Sequence, residues 1–220
     1  MPSRFFGFCA VLFLAVSSRA QIVSVKDGNV FITDAAGQLR QLTDSGRDSD
    51  PALAPNGQTI AFVRALPERK VSTGSGDDNS EIWCIRTDGS HAERMVAPRA
   101  APKMQDVLGQ LAAPQFSADG RRLFFETTAW ATSGAVHVLD LATRKEHFVC
   151  AGNNLEIVRT GEYRDCLLIQ QHRYFIGGGS YDWFWLFRAD GKEVGPVGED
   201  TDTFHATFGA DGKGAPAKSQ

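Results

Sequence analysis

Two kinds of hydrophobic segment alternate along the chain. The first is an apolar, β-branched run that ends in a turn: Val30-Phe31-Ile32-Thr33 before Gly37, Ile82-Trp83-Cys84-Ile85 before Asp88-Gly89, Val136-His137-Val138-Leu139 before Thr143, and Phe184-Trp185-Leu186-Phe187 before Asp190-Gly191. A shorter strand-like stretch follows each turn, so the pattern predicts four hairpins. The second kind is a short strand, a turn and an apolar strand. Pro51-Ala52-Leu53-Ala54-Pro55-Asn56-Gly57 leads into Thr59–Val63, and Pro114-Gln115-Phe116-Ser117-Ala118-Asp119-Gly120 leads into Arg122–Glu126. Asn-Gly and Asp-Gly supply the positive φ that a tight hairpin needs. A decayed copy runs from Leu155 to Ile169, and a half copy is Phe208–Gly212.

Joined, the two kinds make a four-stranded antiparallel unit that recurs about every 50 residues. A sheet this small cannot bury both faces alone. Stacking several side by side keeps both faces dry, which is how a propeller is built. Complete units fall at about 50–97, 111–150 and 154–198. The remaining pieces are three N-terminal strands (Ile22–Val25, Asn29–Ile32, Gln38–Thr43) and one expected C-terminal strand, Thr203–Phe208. The expectation is an all-β fold: a small propeller of about four four-stranded blades, the last a composite of the N- and C-terminal strands that closes the ring and hides its edges. Its rival is an incomplete ring that a second copy of the chain completes. Leu66–Ser80 reads as a polar loop within one blade, and Pro98–Gly109 as a connection with a helical turn around Met104–Leu108.

Several of these segments resemble a known repeat. The run Pro51-Ala52-Leu53-Ala54-Pro55-Asn56-Gly57-Gln58-Thr59-Ile60-Ala61-Phe62 and the strand Arg40-Gln41-Leu42-Thr43 are similar to the PD40 (WD40-like) repeat of TolB-like propellers, most clearly over 29–65 and 111–141. That family includes Tol–Pal system components, propellers attached to peptidases, and polysaccharide lyases. The resemblance implies a binding scaffold for an envelope or secreted protein. The alternative it implies is a carbohydrate-binding or polysaccharide-lyase-like protein that uses the central cavity.

Composition and charge then place the chain. Residues 1–20 read as a secretory signal: Arg4, the apolar run Phe5–Val16, and the small residues Ser18 and Ala20 before a cut ahead of Gln21. Residues 21–210 are expected to form the propeller and 211–220 a disordered tail. Removing the leader lowers Lys+Arg from 23 to 21 against 26 Asp+Glu, a net charge of about −5. That surface offers no footprint for nucleic acid. No later segment is long and apolar enough to span a bilayer, so a periplasmic or secreted protein is expected. Cys84, Cys150 and Cys166 remain after the cut; Cys84 reads as a core residue, and Cys150 with Cys166 as a candidate disulfide in an oxidising compartment.

Candidate chemistry is sparse. Gly178-Gly179-Ser180-Tyr181-Asp182 has Asp182 where a serine-hydrolase elbow requires glycine, and a strand-like run follows instead of a helix. Asp44, Asp48 and Asp50 lack calcium-loop spacing. The five histidines, His91, His137, His147, His172 and His205, form no motif. These readings lead to the expectation of no catalytic residue, no metal and no cofactor. The aromatic concentration from His172 to Trp185 offers recognition residues: Arg173, Trp183 and Trp185 are the candidates, because Trp, Tyr and Arg anchor interfaces.

Overall fold

A computed structural model describes residues 21–66 and 79–209. The expected leader, most of the polar loop (67–78) and the tail lie outside the described residues. The strands assemble into four antiparallel sheets, each a meander in chain order. The first holds β1 (Ile22–Lys26), β2 (Asn29–Thr33) and β3 (Leu39–Gln41); the second holds β4 (Asp48–Leu53), β5 (Thr59–Leu66), β6 (Asn79–Arg86) and β7 (Glu93–Val96). The third holds β8 (Ala112–Phe116), β9 (Arg122–Thr127), β10 (Ala135–Asp140) and β11 (Glu146–Ala151). The fourth holds β12 (Asn153–Ile157), β13 (Leu167–Tyr174), β14 (Ser180–Phe187) and β15 (Glu193–Gly198). Leu66, Asn79 and Ser80, expected in the loop, are strand residues. The expected helical turn is a 3-10 turn at Met104–Asp106.

Period-two alternation explains the stacking, because successive side chains leave a strand on opposite faces. Ile60 and Phe62 of β5 pack with Val30 and Ile32 of the first sheet. Ala61, between them, points the other way and joins Phe116, Leu123 and Phe125 of the third. Phe124, between the last two, packs with Leu167 and Ile169 of the fourth. The second and third sheets thus each lend alternate residues to two different cores, and these cores lie between blades. The inner strands are neighbours, β4 beside β8 and β8 beside β12. This is propeller stacking, not a two-sheet sandwich.

The tight turns form as the sequence requires. Gly57 and Gly120 both sit at φ 68°, and each N–H donates to the carbonyl three residues back, Ala54 and Ser117, at 2.9 Å. A feature with no shared residue type recurs in the inner strands. β4, β8 and β12 each carry a bulge, centred on the left-handed residues Asp50, Ala113 and Asn154 at φ 47°, 47° and 54°.

The composite blade is corrected. Among the described residues the first sheet has three strands, and Asp202–Phe208 is a helix, α1. Phe204 and Phe208, four residues apart, share one helix face. With Tyr163 they cover Leu168, Leu186 and Val158 on the far face of the fourth sheet. Contacts run from first to second, second to third and third to fourth sheet; beyond the fourth comes α1.

Candidate functional site

Antiparallel connectivity sorts the connections between two ends of the sheets. The Asn56-Gly57, Asp88-Gly89, Asp119-Gly120 and Asp190-Gly191 turns share one end. The β5–β6, β9–β10 and β13–β14 connections share the other. At that second end, β13 and β14 form a long hairpin, paired from Leu167↔Phe187 to Tyr174↔Ser180. Its tip turns through Gly177-Gly178-Gly179, with the Phe175 N–H donating to the Gly179 carbonyl at 3.1 Å and the Gly178 N–H to the Phe175 carbonyl at 3.0 Å.

The register places Gln171, Arg173, Tyr181, Trp183 and Trp185 on the hairpin face that continues Ile169 and Phe187 toward the third sheet. The three recognition candidates therefore share one face, but they do different work. Arg173 lies 3.4 Å over the Trp185 ring. It also donates from Nε to Gln171 Oε1 at 2.8 Å and from Nη2 to Glu193 Oε2 at 2.5 Å. Its charge and its donors are thus engaged within the sheet. Trp185 packs against the core between the third and fourth sheets, and its Nε1 is buried with no hydrogen-bond partner among the described residues. Together they brace the hairpin base. Trp183 is half-buried and begins a series of ring contacts: Trp183 to Tyr181 at 5.0 Å, then Tyr181 to Phe175 at 4.6 Å.

That series ends at residues inside the same aromatic stretch that sequence reasoning did not choose as candidates. Tyr174, Phe175 and Ile176 are 72, 54 and 110 % exposed. The available signal was an apolar run that enters three glycines with no polar turn residue. On the opposite hairpin face, His172 Nδ1 lies 2.8 Å from Asp182 Oδ1.

No family model matches the chain. Over 67 residues, 30 % of its length, it is 31 % identical to the Tol-Pal system protein TolB 1 of Novosphingobium aromaticivorans, of which it covers 13 %. The propeller domain of the Trilobed protease from Pyrococcus furiosus superposes with a TM-score of 0.53 at 17 % identity, over 79 % of this chain and 49 % of that one. A TolB structure from Agrobacterium tumefaciens gives 0.51 at 11 % identity, over 78 % and 58 %. Oligogalacturonate lyase from Vibrio parahaemolyticus gives 0.52 at 13 % identity, over 81 % and 43 %. The fold is that of the TolB-like β-propellers. The chain spans 43–58 % of these structural neighbours.

Within this TolB-like propeller the histidines stay apart. His137 of β10 is fully buried, its Nδ1 2.5 Å from Glu146 Oε1 and its ring stacked on Phe125. His172 pairs with Asp182 and His205 of α1 with Glu156. Burial pushes the Glu146 carboxyl up, but hydrogen bonds from His137 and Arg99 outweigh it and hold the group below its usual value. No three His, Cys, Asp or Glu residues among the described ones gather where they would hold a metal ion. The Cys150–Cys166 pairing is corrected: all three described cysteines are free. Cys150 faces the core between the third and fourth sheets, whereas Cys166 packs on the far face of the fourth, near α1. Cys84 is a core residue as expected, and burial pushes its thiol and that of Cys150 up to about 12.

Proposed function

We propose that this propeller is an exported binding scaffold that docks another envelope or secreted protein through the tip of the β13–β14 hairpin. The carrying observation is the exposure of three consecutive large apolar residues, Tyr174, Phe175 and Ile176. Apolar side chains grouped in this way mark interaction sites on soluble proteins, and aromatic anchors dominate binding energy. Rings from Trp183 to Phe175 and the Arg173–Trp185 brace stiffen the hairpin, so little conformational entropy is lost on docking. Export is supported by the character of residues 1–20, and an envelope setting by the segment shared with a Tol-Pal system protein. The lyase-like alternative draws no support from the dispersed histidines.

A photo-crosslinking residue at Ile176 should capture a discrete partner in cells that export the protein. The same residue at Asp190, at the opposite end of the sheet, should capture none. Adding Phe175→Ser should abolish the Ile176 adduct. Equal labelling from both positions, or an adduct indifferent to Phe175, would remove the hairpin tip as the docking site. Retention of the protein in the cytoplasmic fraction would remove export.

A further inference from the structure

A concave feature lies at the same end of the sheets as the hairpin tip, built by different elements. The β9–β10 connection curls over the starts of the inner strands β8 and β12 and leaves a cleft of about 350 Å³, within the ~300–1,000 Å³ typical of small-molecule sites. Its aromatic wall is Trp130, 42 % exposed. A turn in which the Trp130 N–H donates to the Ser133 carbonyl at 2.8 Å fixes the backbone, and the edge of Phe148 supports the indole at 6.3 Å. Asn153 ties the loop to the fourth sheet: its Oδ1 accepts from the Gly134 N–H at 2.7 Å, and its Nδ2 reaches the Thr132 carbonyl at 3.4 Å. Gly134 is required there, because a Cβ would stand 2.9 Å from the Thr127 carbonyl oxygen and 3.1 Å from that of Gly152.

The charge balance selects the ligand class. Among the described residues no Lys, Arg or His lines the cleft, and Glu126 is its sole acid. An anionic ligand, a uronate or a phosphate, would meet that carboxylate with no cation among the described lining residues to offset it. A cation gains little, because Glu126 already accepts the Leu155 N–H at 2.6 Å and that of Asn154, and a single indole is not a cage. What remains is one apolar ring face beside hydroxyl, amide and carbonyl groups. That combination suits a ring with an apolar C–H face and a rim of hydroxyls.

We propose that this cleft binds a neutral saccharide unit, stacked on Trp130 and hydrogen-bonded along the Gln110, Ser133 and Asn153 side. The site is separate from the hairpin tip and does not rest on the docking role argued for it. Calorimetric titration of the purified protein with cellotriose, maltotriose and triacetylchitotriose tests it, with trigalacturonate and choline as charged comparisons. At least one neutral trisaccharide should bind, and Trp130→Ala should weaken it by about tenfold or more, while Trp130→Phe retains most of the affinity. Ser133→Phe, which places a bulky ring at a lining position, should also abolish binding and serves where Trp130→Ala fails to fold. Ile176→Asp should leave sugar binding unchanged. Binding of none of the neutral sugars, tighter binding of either charged probe, or affinity indifferent to both Trp130 and Ser133 would overturn the proposal.

Discussion

The Asp48 side chain is wholly enclosed, yet it carries charge. Arg64 meets it with two hydrogen bonds, Nε to Oδ1 at 2.6 Å and Nη2 to Oδ2 at 2.9 Å. The guanidinium in turn lies 4.8 Å from the centre of the Trp83 ring and 5.4 Å from that of Phe62. Burial raises the Asp48 carboxyl pKa, but hydrogen bonds from Arg64, Thr43 and Ser45 outweigh it and leave the group below its ordinary 3.8. A carboxyl depressed on folding contributes stability that is present above the unfolded value and lost as pH falls through the folded one. Asp48→Ala strands Arg64 and should cost about 3 kcal/mol in urea denaturation, the low end for a broken buried pair because Arg64 keeps some contact with water. The variant should also lose part of the wild-type decline in stability below pH 3.8. Parallel acid curves for the two proteins would show that the pair does not tune stability.

At the scale of elements, what was legible depended on whether one strong local rule decided the outcome. The Asn56-Gly57 and Asp119-Gly120 hairpins were readable because only a positive φ closes such a turn, and the sequence offers glycine there. The recurring bulges were not, because Asp50, Ala113 and Asn154 share no side-chain chemistry; the bulge belongs to the inner-strand position. The segment Thr203–Phe208 satisfied two periods at once. Phe204, Ala206 and Phe208 alternate as a strand would, while Phe204 and Phe208 also stand one helical turn apart. Tertiary demand chose between them, since the far face of the fourth sheet needs a cover and the helix places both phenylalanines on it. At the hairpin, sequence reasoning singled out residues of which the fold engages two internally, Arg173 and Trp185. Which donors a neighbouring strand claims is set by register, which a single sequence does not display. Phe204 is 5 % exposed, so Phe204→Ala should destabilise by about 3 kcal/mol. It should also speed amide exchange at Leu168 and Leu186 more than at Val136 and Val138. Uniform acceleration, or none, would mean that α1 is not the cover of the fourth sheet.

The described residues form a row of sheets whose shared cores lie between neighbouring members. Stability in such an array approximates a sum of unit and nearest-neighbour terms. Two fully buried phenylalanines separate this view from a single shared core. Phe62 lies in the core between the first and second sheets, and Phe124 in the one between the third and fourth. Each truncation to alanine should cost roughly 3–5 kcal/mol at its interface. Phe62→Ala should release the amides of Val30 and Ile32 while Leu167 and Ile169 keep their protection. Phe124→Ala should release the fourth sheet and spare the first. The first sheet is the weaker partner, because it has three strands and Ile22 and Leu39 are each 61 % exposed. Its release should therefore occur at lower denaturant than that of the fourth sheet, whose far face α1 keeps covered. Native-state hydrogen exchange on the two variants decides the matter: identical loss of protection across all four sheets would mean that the row unfolds as one cooperative body, and that the interfaces are not independent terms.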